Sequence, residues 1–164
     1  MIRRVQDSII QAIQATDGMY HHLVLLVGQA GSGKTNALGQ VAKALGTEVI
    51  NVNLVLSREL IELTARQRTL RLSSLLTAIL ENGQPTVLLD NLEILFDPEL
   101  KQDPLRLLKG ISRNRTVVAA WNGKMESGKL LYAEVGHPEY RRYDLDDTLI
   151  VDMTETTAPK ISEK

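Results

Sequence analysis

The 164-residue sequence contains no cysteine and few aromatic residues: one Phe, one Trp and four Tyr. Without cysteine, neither a disulfide framework nor a thiolate-liganded zinc site can form. No apolar run approaches the roughly 20 residues that a transmembrane helix needs. Residues 1–7 also lack the apolar core of a signal peptide. These absences favour a cytoplasmic protein without membrane contact.

Neither sign of charge dominates, because the sequence has 19 Lys and Arg and 20 Asp and Glu, which gives a net charge of −1. The charges are unevenly spread. Residues 144–164 contain six acidic and two basic residues, so residues 1–143 carry a charge of +3. A basic bias this small is more typical of a solvated surface than of a DNA site. Composition therefore gives no general argument for direct nucleic-acid binding.

One motif stands out: residues 28–35 match the phosphate-binding P-loop pattern G-x-x-x-x-G-K-S/T. An apolar run at 23–27 precedes it and a stretch with helical apolar spacing, 36–45, follows it. The glycines let backbone N–H groups face an anion, and the dipole of the following helix favours the same charge. The predicted nucleotide-binding residues are Gly28, Gln29, Ala30, Gly31, Ser32, Gly33, Lys34, Thr35 and Asn36.

ATP and Mg²⁺ are the predicted ligands of this loop. Lys34 would contact the β- and γ-phosphates, and the Thr35 hydroxyl would bind the metal. Asp90 ends the apolar run 86–89 in the manner of a Walker B strand, so its carboxylate would hold the same metal through its water shell. The alternative for Asp90 is an aspartate that caps a helix or ends a turn.

The residue after Asp90, where many P-loop ATPases have a water-activating glutamate, is Asn91. An amide can orient water but cannot accept a proton as a general base. Glu93 is the nearest carboxylate that could replace it, although a surface or capping glutamate is an equally good interpretation. The sequence therefore predicts slow or partner-dependent turnover.

Three polar residues near later strands complete the catalytic candidates. Asn122 ends a predicted strand, where a sensor-1 residue would contact the γ-phosphate; the alternative is a turn formed by Asn122 and Gly123. Arg141 and Arg142 precede the last predicted strand and could reach the active site of a neighbouring subunit as an arginine finger. That role would require a homo-oligomer, and a solvated pair at a strand edge is the alternative.

Strand and helix patterns alternate along the chain. Helices are predicted at 2–13, 36–45, 58–81 (with Ser57 as N-cap and a bend within 64–71) and from Asp103 onward. Strands are predicted at 23–27, 48–54, 86–90, 116–122 and 143–151. Residues 123–142 are predicted to form a Gly-rich loop region. This order predicts an α/β P-loop NTPase sandwich of three layers with a parallel five-stranded sheet. We expect residues 1–153 to form this domain and 154–164 a disordered polar tail.

Three classes of P-loop protein fit this pattern to different degrees. A GTPase needs D-x-x-G and N-K-x-D segments, and neither is present. A small-molecule kinase needs a mobile Arg-rich lid, for which residues 123–142 offer few cations. The Walker B strand, Asn122 and the late arginines resemble an AAA+-like ATPase core without the C-terminal helical lid that normally follows it.

Four longer segments are more specific than the P-loop: residues 87–98, 100–105, 112–123 and 136–143. They resemble BrxF, the small P-loop protein family of type III BREX (bacteriophage exclusion) systems, over about residues 20–151. The resemblance implies a bacterial antiviral-defence protein beside a DNA methyltransferase, a large ATPase, a helicase and a phosphatase-like component. It also implies functional roles for the P-loop and Asp90. Two hypotheses stay open: an ATPase that remodels a complex on DNA, and a nucleotide-sensing adaptor that hydrolyses little.

Overall fold

The computed structural model describes residues 4–81, 83–132, 141–145 and 148–156 of the protein. The helices are α1 Val5–Ala15, α2 Lys34–Leu45, α3 Val52–Leu60, α4 Ala65–Leu80, α5 Pro104–Ile111 and α6 Met153–Thr156. The strands are β1 Leu23–Gly28, β2 Val49–Asn51, β3 Thr86–Asp90, β4 Thr116–Glu126, β5 Lys129–Tyr132, β6 Arg141–Asp144 and β7 Leu149–Asp152. Two 3₁₀ segments, Glu93–Phe96 and Pro98–Leu100, lie between β3 and α5. Within the described ranges, no helix is long and apolar enough to cross a bilayer.

A parallel sheet of five strands in the order β2-β3-β4-β1-β7 forms the middle layer. All six residues of β1 are buried, and alternate residues enter two separate cores. Leu25 packs in the core formed with α3, α4 and α5, whereas Leu26 packs in the core formed with α1 and α2. The predicted α/β P-loop NTPase sandwich with its five-stranded parallel sheet is confirmed.

The region after Asn122 is not the predicted loop, because β4 continues to Glu126 and β5 follows it as an antiparallel hairpin. Ser127 and Gly128 both have positive φ, 54° and 77°, as a two-residue hairpin turn of the primed type requires. The turn proposed for Asn122 and Gly123 is therefore wrong. The predicted strand 143–151 is also wrong as one element: β6 pairs with β5, and β7 pairs with β1.

The second predicted strand is shorter than expected, and the long helix after it is two helices. Asn51 caps α3 by accepting a hydrogen bond from the Leu54 N–H, so the helix begins before the predicted cap Ser57. This helix ends at Leu60, and α4 begins after Thr64, whose side chain forms a capping box with Gln67. Residues 154–156 lie in α6, and the rest of the predicted tail lies outside the described residues.

Aromatic rings attach the hairpin to the segment after β3. Phe96 stacks on Tyr132 with ring centroids 3.5 Å apart, and Trp121 meets Phe96 edge-on at 5.1 Å. The Trp121 Nε1–H also donates to the Leu131 carbonyl at 3.1 Å. These contacts fix the extension of β4 against the core that contains α5.

Replacing Gly123 with Ala is expected to displace this hairpin, because the added Cβ would overlap the Leu131 carbonyl oxygen. Overpacking of this kind costs about 1–3 kcal/mol in free energy of unfolding. The matched control is Gly110→Ala in α5, where a Cβ meets nothing within 4 Å and should stabilise the helix. Denaturant unfolding of both variants measures the difference, and equal stabilities would contradict the close approach.

Candidate functional site

The loop between β1 and α2 depends on glycine for two reasons. Gly31 and Gly33 have φ of 84° and 101°, a left-handed conformation that other residues adopt only with strain. A Cβ on Gly28 would overlap Ser32 Oγ and lie 2.7 Å from Met153 Cγ. The loop is therefore a tight turn, and Met153, the residue that follows β7, packs against it.

Lys34 lies at the first turn of α2 and is only 6% exposed. Its Nζ donates to the Gly28 carbonyl at 2.7 Å and to the Gln29 carbonyl at 2.9 Å. Burial lowers the pKa of the Lys34 ammonium below its ordinary value, while the charges of Asp90 and Glu93 act in the opposite direction. A desolvated cation thus lies inside the loop, where phosphate oxygens would bind.

The two residues predicted to bind the metal are in direct contact. Thr35 Oγ1 donates to Asp90 Oδ2 at 2.7 Å, and Asp90 Oδ1 accepts the Asn91 N–H at 2.9 Å. Hydroxyl and carboxylate oxygens are the donors that Mg²⁺ prefers. This oxygen pair, next to the Lys34 ammonium and the glycine turn, fits a magnesium nucleotide.

Glu93 enters the same cleft because the chain turns sharply after Asp90. Asn91 has a φ of 57°, and asparagine tolerates this left-handed conformation better than most residues. Glu93 Oε1 accepts from Asn53 Nδ2 at 2.9 Å, and Oε2 accepts from Asn122 Nδ2. The Asn53 side chain is itself fixed, since its Oδ1 accepts the Ile94 N–H at 2.7 Å. The Glu93 carboxylate is thus held between two amides.

These residues enclose a cleft of about 600 Å³, a volume that suits a nucleotide. Its lining residues are Ala30, Gly31, Gly33, Lys34, Thr35, Asn36, Asp90, Asn91, Glu93, Ala120 and Asn122. The remaining predicted loop residues, Gly28, Gln29 and Ser32, are not among the lining residues, although the Gly28 and Gln29 carbonyls accept from Lys34. Ser32 Oγ is buried and has no hydrogen-bond partner among the described residues.

The two predicted finger arginines do not line this cleft. They are neighbours on β6 and point to opposite faces of it. Arg141 is partly buried and its Nη2 donates to the Gln102 carbonyl at 3.2 Å, whereas Arg142 is exposed. The catalytic roles of all these residues stay predictions.

Asn53 is the residue of the cleft region that the sequence interpretation missed. Asn53 falls in the strand predicted at 48–54, with no role for its side chain, whereas it lies in α3. The available signal was the pair Asn51 and Asn53 after the apolar residues of β2. Polar residues at the carboxyl end of a parallel strand lie at the ligand-binding edge of such sheets.

Comparison with known proteins identifies the family of the chain. Residues 24–121, more than half of the chain, match the family described as "ATPase family associated with various cellular activities (AAA)". No curated protein matches the chain. A solved structure titled "Structure of C. elegans PCH-2" is similar at 15% identity and a TM-score of 0.48, over 93% of this chain and 42% of that one. The match to that family model covers more than half of the chain, which therefore belongs to the AAA family of ATPases.

Proposed function

We propose that the protein binds ATP with Mg²⁺ in this cleft and hydrolyses it slowly. The observation that carries the proposal is the Glu93 carboxylate, which lines the cleft together with Lys34 and contacts Asn53 and Asn122. In this assignment Lys34 binds the phosphates, Thr35 and Asp90 hold the metal, and Glu93 orients and deprotonates the attacking water. Mg²⁺, when bound, would neutralise charge on the β- and γ-phosphates.

Slow turnover follows from the hydrogen bonds of Glu93. Each amide N–H that a carboxylate accepts occupies one of its roughly four lone-pair sites. Both oxygens of Glu93 accept such a bond. The two amides therefore restrict the directions from which water can reach the Glu93 carboxylate, and movement of Asn53 or Asn122 would open them. A protein that holds this arrangement until a partner binds would act as a nucleotide-sensing adaptor, which is the second candidate function.

Of the two arginines, Arg142 is the better candidate for a finger in trans. Its exposed guanidinium could enter the cleft of a second copy of the chain, whereas Arg141 is bonded to its own fold. Such a finger would complete the site only in a homo-oligomer.

The cellular role that we propose rests on the resemblance to BrxF alone. The protein would be a component of a type III BREX phage-defence complex in bacteria, with nucleotide-dependent assembly or remodelling beside DNA-associated partners. The partners implied are the methyltransferase, the large ATPase, the helicase and the phosphatase-like component. Of the four segments that carry the resemblance, residues 87–98 contribute Asp90, Asn91 and Glu93 to the cleft, and residues 112–123 contribute Ala120 and Asn122.

The experiment that tests the proposal is ATP turnover per subunit over a wide protein concentration range. We expect ATP to bind at every concentration and turnover to rise severalfold as subunits associate. Arg142→Ala should return turnover to its dilute value, while Arg141→Ala, the matched neighbour, should retain the rise. Binding without turnover at any concentration would favour the adaptor, and absence of binding would refute the proposal.

A further inference from the structure

The charges in the nucleotide cleft are poorly matched to a triphosphate. Among its lining residues, Lys34 is the only cation, and Asp90 and Glu93 are both anions. The lining therefore has a net charge of −1, to which the nucleotide adds more negative charge. Mg²⁺ offsets part of this charge, but a further cation near the terminal phosphate would favour ATP over ADP.

The extension of β4 carries such a cation. Alternate residues of a strand face the same side, so Lys124 lies on the face of Asn122, opposite to the face of the buried Trp121. Lys124 is one repeat beyond Asn122, or roughly 7 Å along the strand. The four-carbon stem of a lysine spans about that distance. Asn122 is also paired with Gly28 across β1 and β4, so the P-loop and the extension of β4 leave the sheet side by side.

The present partner of Lys124 is weakly held. Its Nζ lies 3.3 Å from Glu126 Oε1, and the two side chains are 51% and 59% exposed. Ion pairs this exposed contribute little to stability, so the ammonium can exchange its carboxylate partner for a phosphate at small cost. Arg142 lies in the same row of the hairpin, but Leu131 separates it from Lys124. At two strand spacings from β4, about 10 Å, Arg142 is farther from the cleft of its own chain.

We propose that Lys124 is a specificity-determining residue of this site. When a nucleoside triphosphate binds, the Lys124 ammonium leaves Glu126 and contacts the γ-phosphate from the extension of β4, beside the P-loop. ADP has no phosphate at that position, so the contact favours ATP. The inference rests on the proposed nucleotide site and adds a residue that the lining of the cleft does not include.

Affinities of the full-length chain for Mg-ATP and Mg-ADP, measured by titration calorimetry, test the assignment. Lys124→Ala should weaken ATP binding about fivefold to tenfold, the effect of one partly exposed charge-assisted contact, and leave ADP binding unchanged. Glu126→Gln, which removes the competing carboxylate, should tighten ATP binding and again leave ADP unchanged. Lys129→Ala is the matched control, since Lys129 lies on the same face, one row farther from Asn122, and pairs with Asp144.

The outcomes separate this inference from the proposed function. If the wild-type chain binds neither nucleotide, the proposed function fails. If it binds both, and Lys124→Ala weakens neither or weakens both equally, only the role of Lys124 is overturned. Because Lys124 is exposed, the variant is expected to fold normally, and unchanged ADP binding verifies an intact P-loop in the same experiment.

Discussion

Glu93→Gln should abolish most ATP turnover and leave ATP binding nearly intact. The substitution keeps the size of the side chain, the new carboxamide oxygen can still accept from Asn53 Nδ2, and the Asn122 amide can reorient to accept from the new NH₂ group. What it removes is the ability to accept a proton from water, because an amide is not a general base. Loss of a positioned base typically lowers the rate about 10²–10⁴-fold, and we expect a loss of at least the lower of these values.

Single-turnover hydrolysis and nucleotide affinity should both be measured for this variant. The control is Glu99→Gln, the same change at an exposed glutamate of the second 3₁₀ segment. If Glu93→Gln retains more than a tenth of wild-type turnover, Glu93 is not the base and Asn91 is left as the water-orienting group. If both nucleotide binding and turnover are lost, Glu93 acts by holding the cleft together.

Asn53→Ala tests whether the Asn53 amide hinders Glu93 as a base or orients it for the reaction. Removing this amide opens Glu93 Oε1 to the attacking water, but it also leaves the Ile94 N–H without its acceptor. We expect turnover to rise severalfold, with a loss of about 1–3 kcal/mol in stability from the unsatisfied donor. A fall in turnover with unchanged nucleotide affinity would identify Asn53 as a group that orients Glu93 for the reaction.

The parts of the site that the sequence predicts are those determined by contiguous residues. The left-handed conformation at positions 31 and 33 favours glycine, and Asp90 directly follows its own apolar strand. The P-loop and the Walker B strand are therefore both local signals. The contact of Glu93 with Asn53 and Asn122 is different, because it joins three elements that are far apart in the chain. It depends on the left-handed turn at Asn91, which an Asp-Asn pair permits but does not specify.

The hairpin after Asn122 shows a second limit of sequence interpretation. β5 is only four residues long, β4 extends only from 123 to 126 beyond Asn122, and glycines at 123 and 128 suggest a loop when they are considered alone. In the structure Gly123 allows the backbone of β5 to approach closely, and Gly128 completes a primed turn. The alternation of Lys124, Met125 and Glu126 was the available strand signal, but three residues are too few to outweigh two glycines.

Replacing Lys34 with Met should have opposite effects on binding and on stability. The proposed phosphate contacts of Lys34 are lost, so we expect ATP turnover to fall at least 10²–10³-fold, about the effect of one transition-state donor, and nucleotide affinity to fall as well. Methionine fills most of the same volume without a charge. The unliganded variant no longer has to desolvate an ammonium, although the Gly28 and Gln29 carbonyls lose their donor. Its free energy of unfolding should therefore equal or exceed that of the wild type.

The pH dependence of unfolding provides an independent test of this desolvated cation. In the folded protein the pKa of Lys34 lies below its ordinary value of 10.5, so between the two values the unfolded chain binds more protons than the folded one. The contribution of Lys34 to stability therefore rises with pH across that interval, and Lys34→Met should remove the rise. Lys43→Met, at an exposed lysine of the same helix, should retain it. If Lys34→Met instead lowers the free energy of unfolding by the same amount at every pH, the hydrogen bonds of Lys34 to the loop stabilise the unliganded fold.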